Sequence, residues 1–175
     1  MHISKRVVVA LLTASALAGS ATTAVTALAD HGGRASGAAH REDGNRAVLL
    51  TSLAPSVPTD PSLHGVAAGG VPWVLGSGAA TLHSDGRLTV RIRGLLIPSG
   101  QFAGTTGPVK TVSASLYCGA INAPVGTSGT VPLSSDGDAR ITTTFTLPTK
   151  CQIPAVLIHP NRAPDVYITT SGFGG

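Results

Sequence analysis

Between Arg87 and Arg93 the chain reads Arg-Leu-Thr-Val-Arg-Ile-Arg, with apolar Leu88, Val90 and Ile92 alternating against polar neighbours. A period of two puts successive side chains on opposite faces, so this segment predicts a half-buried strand. Ala79-Ala80-Thr81-Leu82-His83 precedes it across Ser84-Asp85-Gly86. Asp-Gly between two alternating runs favours a tight turn, because glycine adopts positive φ without steric cost, and the pair predicts a β-hairpin. The same grammar recurs in Thr130-Val131-Pro132-Leu133, Ser134-Ser135-Asp136-Gly137 and a run in which Ala139, Ile141, Thr143, Phe145 and Leu147 share one face. A second hairpin is expected there, similar to the first without being a repeat of it.

Thr111 to Cys118 alternates again and puts Val112, Ala114, Leu116 and Cys118 inward. Ile153 to His159 and Val166 to Thr169 add two short strands, separated by the turn-prone Pro160-Asn161-Arg162-Ala163-Pro164-Asp165. Upstream, Ala47-Val48-Leu49-Leu50 leads into a stretch broken by Pro55, Pro58, Pro61, Gly65, Gly69, Gly70 and Pro72, which reads as an edge strand followed by loops. Trp73 is expected to plug one end of the core. No stretch past residue 29 sustains a helical period. About seven to nine short strands at this spacing predict an all-β domain over 46–175, a single antiparallel β-sandwich.

The first 29 residues have a different pattern. Lys5 and Arg6 precede an uncharged run from Val7 to Ala18, and Ala27-Leu28-Ala29 supplies small residues before Asp30, as in a cleavable signal peptide at 1–29. The apolar run is about twelve residues where a bilayer span needs roughly twenty, so no membrane span is expected after cleavage. Residues 30–45 carry Gly, Ala, Arg, His and acid without a bulky apolar side chain, which predicts a flexible tail. His31, His40, Glu42 and Asp43 in that tail lack a ligand spacing that would mark a metal site, and no metal or cofactor is implied. The expected product is secreted; its oligomeric state is open.

Charge and cysteines narrow the partners. Beyond residue 29 there remain ten Lys plus Arg against eight Asp plus Glu, so the sequence pI of 9.6 overstates the basic character. With only six aromatic side chains, scattered along the chain, this is not the composition of a nucleic-acid binder. Cys118 and Cys151 are the whole thiol inventory, and in an exported chain an even count predicts a disulfide. Closing that loop stabilises the fold by roughly 3 to 4 kcal/mol on the chain-entropy account.

The string Gly76-Ser77-Gly78-Ala79-Ala80-Thr81-Leu82, then Asp85-Gly86-Arg87-Leu88-Thr89-Val90-Arg91 and Gly94-Leu95, resembles the opening hairpin of the CHRD domain, an exported β-sandwich module. That family continues with a His-x-His-Gly motif where this chain has Ser113-Ala114-Ser115-Leu116-Tyr117-Cys118, so the histidines' role does not carry over. Leu53-Ala54-Pro55-Ser56-Val57-Pro58, Gly69-Gly70-Val71-Pro72-Trp73-Val74, Ser113 to Gly119 and Gly137-Asp138-Ala139-Arg140-Ile141 resemble exported proteins of high-G+C Gram-positive bacteria. The resemblance implies secretion and no particular activity. The sandwich is accordingly expected to be immunoglobulin-like or CHRD-like.

Familiar catalytic signatures are missing: there is no Gly-x-Ser-x-Gly, no His-Glu-x-x-His and no His-x-His strand. The carboxylates fall on turns, Asp85 and Asp136 in the Asp-Gly pairs and Asp60 and Asp165 beside prolines. His64 and His159 are expected on loops, with Asp60 near His64 in sequence. No catalytic residue is assigned. Arg87, Arg91 and Arg93 project from one side of their strand, where alternate positions lie about 7 Å apart, and arginine forks bind carboxylate and phosphate in two-pronged fashion. These three are the candidate ligand-binding residues, with a cell-envelope polymer or another extracellular macromolecule as partner. Thr142, Thr144 and Thr146 are expected on the outer face of the second hairpin. The expected function is thus a non-catalytic secreted binding module. Two alternatives are a hydrolase with an unfamiliar site and a protease inhibitor presenting Lys150 in the loop from Pro148 to Pro154.

Overall fold

The computed structural model describes residues 46–171; the expected signal peptide at 1–29 and tail at 30–45 lie outside the described residues. Eleven strands follow in chain order: β1 Ala47–Pro55, β2 Ala67–Ala68, β3 Ser77–His83, β4 Arg87–Arg93, β5 Thr111–Cys118, β6 Gly126–Thr127, β7 Val131–Pro132, β8 Ala139–Thr144, β9 Pro154–Pro160, β10 Val166–Tyr167 and β11 Thr169–Ser171. One 3-10 turn at Gly100–Phe102 is the sole helical element among the described residues. The fold is all-β, as the alternation predicts. The excess over the expected seven to nine strands comes from β2, β6, β7 and β10, two-residue ladders too short to leave a periodic trace.

The strands form one sheet in the order β6-β5-β9-β11-β1-β3-β4-β8, with β7 also paired to β5. Its pairings are antiparallel, and a separate parallel pair joins β10 to β2. The sheet curls on itself, so that Leu82, Leu88, Val90 and Ile141 from one half share a core with Val112, Leu116, Val156 and Ile158 from the other. Strand β1 belongs to both halves: Ala47 to Ser52 pair with β3, and Leu53 to Pro55 pair with β11. Right-handed twist accumulates along such a long path, and the register shift between Ala47 and Leu49 adds to it locally.

Strand β1 is therefore central, not the edge strand expected. Its proline, Pro55, is the last residue of the strand, where a missing N–H costs the ladder little. The hairpin of β3 and β4 forms as expected, with Leu82 opposite Leu88 and Gly86 donating its N–H to the carbonyl of His83.

The second Ser-Asp-Gly segment forms a turn but no hairpin. Gly137 N–H donates to the Ser134 carbonyl, and Ser134 N–H to that of Asp138. The strands on either side nevertheless part company: β7 pairs with β5, and β8 pairs with β4. Pro132 has no N–H for a ladder, which keeps β7 short. Gly137, at φ +78°, seats against Leu95, where a Cβ would collide with backbone atoms. The turn thus carries the chain from one half of the sheet to the other.

Cys118 and Cys151 form the expected disulfide, joining the end of β5 to the approach of β9 with Cα atoms 4.9 Å apart. Trp73 is 3% exposed and packs in the core. Strand β5 departs from a half-buried reading: from Val112 to Cys118 every residue is buried, on both faces. Tyr117 and Leu157 on the outer side form a second apolar cluster with Val66 and Tyr167, supplied by the proline- and glycine-rich stretch after β1 and by β10. Tyr167 pins that cover by donating its phenol O–H to the Pro61 carbonyl at 2.8 Å.

Candidate functional site

Among the described residues, the outer face of β3, β4 and β8 has no such cover. Leu88, Val90 and Ile92 are buried inward, and Arg87, Arg91 and Arg93 are exposed on the other side, as the alternation requires. The three do not act alike. Arg87 lies at the hairpin end, with Asp85 at 3.9 Å, a long ion pair between half-exposed side chains that contributes little on its own. Arg91 and Arg93 have no carboxylate within ion-pair distance among the described residues.

A fourth arginine joins them. Arg140 on β8 lies directly opposite Arg91 on β4. Opposed residues of an antiparallel pair have Cβ atoms roughly 4.5 to 5.5 Å apart, and like charges so placed disfavour the pairing. The arginines 91, 93 and 140 line one surface depression of about 390 Å³, with Asp138 and Pro132 at its rim. Asp138 is partly occupied elsewhere, since its Oδ1 accepts the Gly94 N–H at 2.9 Å. A second, smaller depression of about 180 Å³ lies on the far side of Arg91 and Arg93, over Ser77, Gly78 and Ala79. Three guanidinium groups against one engaged carboxylate make this a locally cationic surface.

Arg140 was legible in part. It stands between Ala139 and Ile141, so its outward direction follows from alternation. That β8 pairs with β4 in the register opposing Arg140 to Arg91 is a tertiary fact. Thr142 and Thr144 extend the same exposed face opposite Thr89 and Arg87, and Thr146 beyond the end of β8 is exposed.

The histidines fall differently from expectation. His64 is on a turn, as read, but its ring stacks on Tyr117 with centroids 4.4 Å apart, and its Nδ1 lies 2.9 Å from the Ile121 carbonyl oxygen. Asp60 closes its own turn by accepting the Val57 N–H. The two line separate cavities, so their nearness in sequence does not bring them into one site.

His159 is not on a loop. It lies in β9 at 0% exposure, under the cover formed around β10. Its Nδ1 is 2.7 Å from the Val166 carbonyl, its Nε2 is 2.8 Å from Ser115 Oγ, and Ser115 Oγ is 2.7 Å from Thr127 Oγ1. Burial lowers the His159 pKa, against smaller opposing effects of the Val166 carbonyl and Asp165, so the ring is held neutral. Ser115 is 1% exposed, which seals the serine–histidine pair from solvent. Burial was missed because alternation tells that His159 faces outward from the core sheet, not that a second layer covers it.

Among the described residues no helix is long and apolar enough to cross a membrane, and no cluster of three or more His, Cys, Asp or Glu side chains could hold a metal. Comparison with protein-family models, curated proteins and solved structures finds no match to this chain.

Proposed function

We propose that this is an exported, non-catalytic binding module that holds anionic groups of a cell-envelope or other extracellular polymer on Arg91, Arg93 and Arg140. One observation carries the reading: Arg91 and Arg140 oppose each other across β4 and β8, unpaired with acid among the described residues, at a cost that a bound anion would remove. Phosphate or carboxylate groups repeated along a polymer suit a flat strip of guanidinium forks, each of which grips an anion through two N–H donors. The neighbouring threonines extend the strip with hydroxyls that hydrogen-bond either sugars or water. The disulfide fits an oxidising, extracellular setting. Arg87, engaged with Asp85, contributes at most a peripheral contact.

The test is cosedimentation of the full chain with isolated bacterial cell walls, intact and after chemical removal of their phosphate-linked polymers. The Arg91→Ala/Arg93→Ala/Arg140→Ala variant is expected to lose at least about tenfold in retention, and wild-type retention to fall steeply with added salt, because contacts between exposed charges are screened. Equal retention of wild type and variant overturns the proposal.

A further inference from the structure

A broad depression lies on the outer side of β5, apart from the arginine strip. It measures about 540 Å³ and is lined by Ser113, residues 127–130, Arg162 and Pro164. Volumes of this order hold small-molecule ligands. Its floor is built from the pairing of β5 with β6 and β9, which sets Thr127 opposite Ser115 and His159 opposite Ser113.

The hydrogen-bond directions in that floor follow from chemistry. A carbonyl oxygen only accepts, so His159 carries its proton on Nδ1, donated to Val166, and Nε2 is bare. Ser115 must then donate its O–H to Nε2, and Thr127 must donate its O–H to Ser115 Oγ. Thr127, which lines the depression, is thereby left with an oxygen that can only accept. Ser128 is spent on the backbone, accepting the Ala114 N–H and donating to the Gly129 carbonyl. Ser113 is not spent: it lines the depression, and its hydroxyl is open to solvent with no protein partner among the described residues. A hydroxyl bonded only to water can exchange that bond for one to a ligand.

Arg162 supplies the charge at the rim, and its position is enforced. Asn161 and Arg162 both adopt positive φ, +44° and +66°, which is uncommon for residues other than glycine. The Asn161 amide holds the turn by accepting N–H bonds from Lys110 and Thr111 and donating to the Pro108 carbonyl. No carboxylate lies within ion-pair distance of Arg162 among the described residues. Pro164 adds an apolar surface to the lining.

We infer that this depression is a second binding site, for a saccharide that carries a carboxylate, with the acid on Arg162 and the ring hydroxyls on Ser113 and Thr127. A sugar ring combines C–H patches with hydroxyls, and the lining combines Pro164 with Ser113 and Thr127. A uronic acid adds the planar anion that a guanidinium fork matches. The site shares no residue with the strip of Arg91, Arg93 and Arg140, and it stands whether or not that strip binds polymer.

Titration calorimetry of the full chain with trisaccharides of galacturonic, glucuronic and mannuronic acid tests this, with methyl-esterified galacturonate as the uncharged control. At least one acid is expected to bind, and its ester at least about tenfold more weakly. Arg162→Asn, which tolerates the left-handed turn, is expected to cost a similar factor, and Ser113→Ala about fivefold. Amide shifts on titrating wild type should centre on Ser113, Thr127 and Thr130, which gives a readout free of any folding defect in the variants. The Arg91→Ala/Arg93→Ala/Arg140→Ala variant should bind as wild type. Absence of binding by all three acids at millimolar concentration, equal affinity of Arg162→Asn, or shifts confined to β4 and β8 each overturns the inference.

Discussion

Strands β4 and β5 alternate in the same way, yet their outward residues meet opposite surroundings. On β4 the outward Arg91 and Arg93 stand in water, whereas on β5 the outward Ser113, Ser115 and Tyr117 are at most 4% exposed. The difference lies in what the chain lays over each face. A covering layer with Val66 and Tyr167 closes over β5 and β9, and nothing comparable covers β4 among the described residues. Alternation reports which side chains share a side of a strand; it does not report what lies on that side. The functional consequence is a bare cationic face on one half of the sheet and, on the other, a sealed polar network with a groove beside it.

The sharpest way to break this comparison is to truncate equivalent outward positions. Leu157→Ala, on the covered face at 0% exposure, is expected to destabilise the fold by about 3 kcal/mol through lost burial and the cavity left behind. Thr89→Ala, outward on β4, should stay within about 0.5 kcal/mol of wild type. Urea unfolding midpoints check the pair, and similar losses at both positions would refute a one-sided cover.

A smaller effect is expected from Ser115→Ala, about 2 kcal/mol, because it leaves His159 Nε2 buried without a donor and deprives Thr127 of its acceptor. The same measurement decides it. A loss no larger than that of Thr89→Ala would mean that the network is not closed.

The pH dependence should also differ between the faces. The His159 pKa is lowered on folding from the ordinary value of 6.5, so the unfolded chain binds the proton more readily than the native one. The histidine's contribution is complete above about pH 6.5 and is lost as pH falls through that value toward the lowered native one. Amide exchange is expected to quicken first in β5 and β9 on acidification, while β3 and β4 hold. Uniform loosening of both halves would argue against His159 as the origin.

The smallest change is expected at the arginine strip. Arg140→Ala relieves a like-charge opposition, so stability should hold or rise by a few tenths of a kcal/mol, most visibly at low salt. A clear loss, seen as a lowered unfolding midpoint, would show that Arg140 is held by a partner and is not free for an anion.

Much of this arrangement could be read from particular residues. Leu88, Val90 and Ile92 declared the inward face of β4, and Gly86 the hairpin before it, where φ is +85° and Phe145 backbone leaves no room for a Cβ. Gly137 marked a turn just as well, but the same Ser-Asp-Gly grammar produced a crossing between halves. Whether flanking strands pair depends on the edge each one finds, and β8 found β4 while β7 found β5. For the site, Arg91 and Arg93 were visible at once. Arg140 needed the register of β8, and the burial of His159 needed the covering loop, neither of which leaves a local mark.

What this sequence determined by itself is what local sterics and covalent chemistry settle: the facing of side chains along each strand, the glycine turns, and a disulfide whose partners were the only two available. The tertiary structure alone decided which strands became neighbours, which face was covered, and hence that Arg91 meets Arg140 and that Ser115 meets His159. The physical reason is range. Backbone preference acts over a few residues, whereas strand pairing and burial join segments separated by forty or more and are chosen by the packing of the whole core.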